Sequence, residues 1–170
     1  ALMVFNGKLY AANTNFSGSR NATIYQSSDG SSWTQVLSQT NGGCFTALSV
    51  FNGRLYTGPC NWGNATVFAT ADGVNWTNNL FTPFGFAVNT MTAFKGKIYA
   101  GLYANGTPLY SSPDGSQWTN VFSASSDRNS ITNLAVFNGK LYAGTAVNGT
   151  IYSSSDGAGG NWQLSLSNTG

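Results

Sequence analysis

Apolar and polar positions alternate along this chain in short runs, and no stretch carries the period of a helix. The runs are rich in Val, Ile, Thr, Tyr and Phe, the residues that fit a pleated, half-buried surface. Turn pairs stand between them. Asn6-Gly7, Asn52-Gly53, Lys95-Gly96 and Asn138-Gly139 each divide two apolar runs. A tight two-residue hairpin needs positive φ at both turn positions, and Asn-Gly meets that need at least cost. These pairs therefore predict a first hairpin, a–b. Asn105-Gly106 and Asn148-Gly149 predict a second, b–c, with Asn21-Ala22 and Asn64-Ala65 at the same point of the first two units. Asp29-Gly30, Asp72-Gly73, Asp114-Gly115 and Asp156-Gly157 predict a third, c–d.

The pattern is one unit written four times. VFNGKLYAA from Val4, VFNGRLYTG from Val50, AFKGKIYAG from Ala93 and VFNGKLYAG from Val136 align, with Tyr10, Tyr56, Tyr99 and Tyr142 in register. Each is followed by an Asp-Gly pair and then by a Trp: Trp33, Trp76, Trp118 and Trp162. Four short antiparallel strands repeated about every 43 residues is the pattern of propeller blades. The predicted architecture is all-β, a single domain over 1–170, with blades at approximately 1–46, 47–90, 91–132 and 133–170. A stack of sandwich hairpins is the competing architecture, and it explains the fourfold copy less well.

The segment Ser27-Ser28-Asp29-Gly30-Ser31-Ser32-Trp33 resembles the Asp-box hairpin of sialidase-like and related propellers, and the whole chain resembles an Asp-box or kelch-like blade array. The resemblance implies a structural role for the box, the Asp capping its own turn and the Trp packing between blades. Residue chemistry points the same way for Asp29, Asp72, Asp114 and Asp156, because an Asp side chain favours turns by accepting from nearby backbone amides.

Composition narrows the function. Charged residues make up only 7% of the chain, where an average soluble protein has about a quarter. Aromatics at 14% argue against disorder, and no apolar run is long enough for a membrane-spanning helix. The net charge is +2 and its seven Lys and Arg are dispersed, so no surface for tracking nucleic-acid phosphates is expected. Neither a signal peptide nor an initiator Met is present, and the sequence reads as a mature form or a fragment. The neutral Ser/Thr/Asn/Gly surface and the pair Cys44 and Cys60 lean towards a disulfide and an extracellular or cell-surface location, two free buried thiols being the alternative.

No catalytic machinery is expected. The chain has no His and no Glu, and turns account for every Asp except Asp127. Acid–base catalysis and glycoside hydrolysis need paired titratable groups, a Cys nucleophile needs a base, and zinc needs a ligand set. No cofactor is expected for the same reasons.

Binding residues are expected where the units differ. The a–b and c–d turns should share one face, uniform in sequence. The b–c loops (11–22, 58–65, 102–106, 143–149) and d–a loops (38–46, 81–90, 123–132) should share the other. Candidates for interaction on that variable face are Trp62, the apolar loop residues Phe81, Phe84 and Phe86, and the loop cations Arg20 and Arg128. For Trp62 the competing role is to cover its loop's own core, and for the Phe residues it is to plug the propeller channel or cover a blade end. Lys8, Arg54, Lys97 and Lys140 follow the a–b turns; solvated charges that deter wrong strand pairing are favoured there over an anion-binding ring. Asn-x-Ser/Thr sequons occur at Asn15, Asn21, Asn64, Asn75, Asn105 and Asn148, so glycosylation is a further expectation.

The repeats also raise a question of closure. The sequence opens in strand a and finishes after strand d, so no blade is shared between its two ends as a latch. End blades of an open array need covering. The expected role is a self-assembling structural or interaction module, with a homo-oligomer or polymer as the partner. The alternative is a lectin-like propeller that binds glycans on the variable loop face.

Overall fold

The computed structural model describes residues 1–13, 21–40, 43–60, 65–82, 87–104, 106, 108–123, 130–146 and 149–167. Sixteen strands form four antiparallel four-stranded sheets, each a simple up-and-down meander. Blade one is β1 (Leu2–Phe5), β2 (Lys8–Asn13), β3 (Ala22–Ser27) and β4 (Thr34–Gln39). Blade two is β5 (Phe45–Phe51), β6 (Arg54–Pro59), β7 (Ala65–Thr70) and β8 (Thr77–Thr82). Blade three is β9 (Ala87–Phe94), β10 (Lys97–Tyr103), β11 (Pro108–Ser112) and β12 (Thr119–Ser123). Blade four is β13 (Ile131–Phe137), β14 (Lys140–Thr145), β15 (Ile151–Ser154) and β16 (Gln163–Leu166).

The a–b turns adopt the conformation their residues favour. Asn6 and Gly7 have φ of 48° and 70°, and the equivalent pairs match, including Lys95 at 44°, which pays a left-handed strain that Asn largely avoids. In each blade the c–d ladder slips by one residue at the same place, between Ile24/Tyr25, Val67/Phe68, Leu109/Tyr110 and Ile151/Tyr152. Such bulges increase the local twist of the sheet.

Strands reach further than the turn motifs suggest. The sequence pattern starts the b–c loop of unit one at Ala11, but Ala11, Ala12 and Asn13 pair with Tyr25, Ile24 and Thr23. Phe81, placed in a d–a loop, lies on β8 opposite Thr66, and its side chain is outside the described residues. Ladder hydrogen bonds extend each hairpin until side-chain packing ends, a limit that turn residues do not mark.

Strands a pack in sequence: β1 on β5, β5 on β9 and β9 on β13. Among the described residues no comparable packing joins blade four to blade one. The core is accordingly divided into three apolar clusters, one at each seam between successive blades. Strand b of the third blade, β10, is covered on both faces, whereas β1 of the first blade is largely exposed.

Candidate functional site

The c–d turns are built alike. Asp29 Oδ1 accepts the backbone N–H groups of Ser31 and Ser32 at 2.8 and 2.7 Å and the Ser27 hydroxyl at 3.1 Å. The Ser27 hydroxyl in turn accepts the Gly30 N–H at 2.8 Å. Asp72 and Asp114 repeat the arrangement on Thr70 and Ser112, and Asp156 keeps it on Ser154 with one backbone N–H, from Ala158, and the Asn161 amide at 2.7 Å. Backbone N–H groups are the largest cause in holding Asp29, Asp72 and Asp114 well below the usual carboxylate range, and the Ala158 N–H, then the Asn161 amide, lowers Asp156. Each carboxylate accepts from its own turn.

The turns do more than reverse the chain. Tyr10, Tyr56 and Tyr99 are fully buried and each reaches the Asp-Gly turn of the following blade. The Tyr56 hydroxyl donates to the Asp114 carbonyl at 3.5 Å, and Tyr99 to the Asp156 carbonyl at 3.4 Å. Tyr10 donates to Gln26 within its own blade at 3.2 Å while its ring end lies against Gly73. A Cβ at Gly73, Gly115 or Gly157 would overlap the tyrosine. The glycine is therefore a socket as well as a positive-φ turn residue. Burial, reinforced by the carboxylate of the receiving turn, raises the pKa of all three tyrosines; for Tyr56, Arg54 opposes the rise.

Four further kinds of contact cross the seams. Phe5, Phe51 and Phe94 bury against the next blade. Trp76, Trp118 and Trp162 pack back on the cluster shared with the preceding one. Innermost, a bulged residue is skipped in the a–b ladder: Thr46 in blade two and Asn89 in blade three. The bulge aims its side chain outwards, so Thr46 Oγ1 donates to the Val88 carbonyl at 2.6 Å and Asn89 Nδ2 to the Ile131 carbonyl at 3.2 Å. On the turn face, Asn6 Nδ2 donates to the Ala71 carbonyl at 3.2 Å and Lys95 Nζ to that of Ser155 at 2.8 Å. These last contacts place a–b and c–d turns on one face, as the sequence suggested.

On the outer sides of blades one and four the same repeat positions are more exposed among the described residues. On blade four, Phe137 is 63% exposed, against 4–7% for Phe5, Phe51 and Phe94. Thr132, at the third bulge, turns back to the Gly144 carbonyl of its own blade at 3.3 Å. Leu166 at the outer strand is exposed. On blade one, Leu2 and Val4 are each 66% exposed, and Trp33 is the one exposed repeat tryptophan. Gly30 has no atom within 4 Å of where a Cβ would stand. These two faces are the candidate interaction site.

A model of the DUF6242 beta propeller domain matches residues 46–169. The chain belongs to that family. No curated protein matches this DUF6242 chain. Among solved structures, the computationally designed Ika8 protein superposes with a TM-score of 0.60 at 13% identity, over 98% of this chain and 47% of that one. YCF48 bound to D1 peptide gives 0.60 at 18% identity, over 88% and 51%. A mutant of Trypanosoma rangeli sialidase displaying trans-sialidase activity gives 0.60 at 15% identity, over 98% and 37%. The DUF6242 chain thus spans about half or less of the length of each of these structures. Likeness at such identities is likeness of fold.

The residues singled out on the variable face fare unevenly. Trp62, Phe84, Phe86, Arg20 and Arg128 lie outside the described residues, as do the sequon residues Asn15, Asn64, Asn105 and Asn148. Asn21 is half-buried with its side-chain oxygen unpartnered, and Asn75 donates its amide to Asp72 at 2.6 Å. Cys44 and Cys60 form a disulfide with Cα atoms 5.2 Å apart. It staples the open end of the β5–β6 hairpin, one step beyond the Phe45–Pro59 pair. Lys8 reaches Gln26 at 3.4 Å, within its own blade. No group of three or more potential metal-ligating side chains occurs among the described residues.

Sequence reasoning pointed to the end blades but named no residues on them. It aligned the tyrosines and glycines but treated the first as strand residues and the second as turn residues. Their common period was the available signal; their pairing across blades was not, because roughly 60 residues of chain separate Tyr10 from Gly73.

Proposed function

We propose that this chain is a non-catalytic structural or interaction module that works by association through its end blades, outside the cell. One observation carries the reading. The residue types that bury three internal seams stand exposed on both ends of the array. An apolar edge of that kind marks an interaction surface rather than a solvated one. Blades joining there, from the same protein or from a second copy, would continue the array, and joined copies would form a closed oligomer, a fibre or a layer according to whether the rotation closes. The disulfide and the low charge suit an oxidising exterior. The absence of His and Glu from the sequence leaves acid–base chemistry without its usual groups.

Light scattering from 1 to 100 µM protein, with negative-stain microscopy, tests the reading. Masses at multiples of 17.9 kDa, with rings or filaments in the images, support it. A strict 17.9 kDa particle throughout that range rejects it.

A lectin-like reading has one observation in its favour. A groove of about 440 Å³ between blades three and four is lined by Phe122, Trp162, Asn120 and Ser123. Phe122 stacks near Trp162 and Tyr152, at centroid distances of 5.2 and 4.8 Å. Aromatic rings beside amide and hydroxyl groups suit a sugar ring. A broad glycan array with no bound spot would remove this alternative.

A further inference from the structure

The seam between blades three and four differs from the other two at its outer rim. On the outer strand of blade three, Phe122 pairs with Leu109; in blades one and two the same ladder position holds Leu37 and Leu80. The Asp-Gly turn of blade four is two residues longer than the others, with Asp156 and Trp162 six apart where Asp29 and Trp33 are four apart. The Asn161 amide holds this longer turn to Asp156 at 2.7 Å, and the Asn161 N–H donates to the Ala158 carbonyl at 3.3 Å. Gly159 lies beside the Val121 carbonyl of the outer strand, and Gly160 stands in open space. The larger ring on one side and the longer, glycine-built turn on the other frame the groove of about 440 Å³. Blade four meets the groove with the face that carries Trp162 and Tyr152, opposite the face of Tyr142. The groove therefore belongs to an internal seam and not to an end of the array.

We infer that this groove binds one neutral sugar residue, its ring laid on Phe122 and Trp162 and its hydroxyl groups met by Asn120 and Ser123. The inference rests on the lectin-like reading above and commits it to one site. Phe122 and Trp162 are both half-buried, with ring centroids 5.2 Å apart, and Tyr152 lies 4.8 Å from Phe122. The seam thus fixes the two rings and leaves part of each open to a ligand. The flat sides of a pyranose are rows of C–H bonds, and their weakly positive hydrogens suit the negative face of an aromatic ring. Asn120 and Ser123 are exposed and bond each other, amide N–H to hydroxyl at 3.2 Å and hydroxyl to amide oxygen at 3.3 Å. The bonds orient both side chains, and an amide and a hydroxyl each have capacity beyond this pair. Among the described residues no side chain lining the groove carries a formal charge. An ionic ligand would lose hydration there with no opposite charge in return, whereas sugar hydroxyls exchange water for amide and hydroxyl partners. The volume falls within the range of small-molecule pockets.

Saturation-transfer NMR on the whole chain tests this. The probes are the methyl glycosides of glucose, galactose, mannose, N-acetylglucosamine, xylose and fucose, with glucuronic acid as a charged comparison. At least one neutral glycoside is expected to bind, and the acid is not. Phe122→Leu gives this seam the residue that blades one and two carry, so the seam should stay packed while the sugar loses its platform. Affinity is expected to fall about tenfold or more. Asn120→Ala changes an exposed position and is expected to weaken binding about fivefold. Circular dichroism melts check that both variants fold, and the second keeps the test alive should the first be unstable.

Three results overturn the inference. If a neutral glycoside binds the parent and both variants alike, the sugar sits elsewhere, and the lectin-like reading survives without this groove. If only the acid binds, the ligand is chosen by charge and the argument from a neutral lining fails. If no glycoside binds, the groove is not a sugar site, and the broad glycan array decides the lectin-like reading separately.

Discussion

Gly73 shows how much one residue decides. Its φ of 81° suits glycine in any case, but the tyrosine from blade one closes the site further. Gly7 has a similar φ of 70° and open space around it. Gly7→Ala should cost about 1 kcal/mol for the left-handed backbone alone. Gly73→Ala should cost about 2–4 kcal/mol, because Tyr10 must leave its place as well. Urea denaturation of the two variants checks this, and equal midpoints would show that the socket carries no energy. The aspartates predict a pH effect. Their folded pKa values lie below the unfolded value, so their stabilisation is present above about pH 4 and is lost as pH falls below it. An acid titration followed by tryptophan fluorescence should show the decline, and replacing Asp72 by Asn should flatten part of it.

Blades are nearly equal as sequences and unequal as elements. Phe94 and Phe137 sit at the same repeat position, one buried in the third seam and one mostly exposed. Phe94→Ala should cost about 3–5 kcal/mol and Phe137→Ala less than about 1 kcal/mol in dilute, unassociated protein. Thermal melts at low concentration separate them; similar losses would mean that blade four is already covered. Blade two has an added staple. The Cys44–Cys60 bond spans 16 residues, which on the chain-entropy account contributes up to about 3 kcal/mol. Reduction should lower the melting temperature by several degrees, and an unchanged melt would mean that strand pairing alone closes the hairpin. The turns, the strand order within each blade and the cysteine pair were legible in the sequence, because each is settled within one hairpin. Strand limits were less so: Ala11–Asn13 and Phe81 read as loop but pair as strand, since pairing partners rather than composition set where a ladder stops.

For the whole molecule, the absence of His and Glu leaves no side chain that titrates near neutrality. Stability should be flat from about pH 5 to 7. At the alkaline end Tyr10, Tyr56 and Tyr99 have raised folded pKa values, so the stability they contribute is complete below about pH 10 and is lost as pH rises through those values. Far-UV circular dichroism against pH should show a plateau with loss at both ends; loss beginning near pH 6 would contradict it.

Sequence by itself determined the repeat, the four-stranded blade and the hairpin turns. These follow from periods of two and about 43 residues and from backbone preferences that act over a few positions. Only the tertiary structure decided how the three seams between successive blades are filled, each by a tyrosine set on the Asp-Gly turn of the next blade. Identical residues cannot announce such pairings. Phe94 and Phe137 share a motif, and whether such a side chain is core or surface depends on the presence of the next blade, a neighbour in space that no local pattern contains.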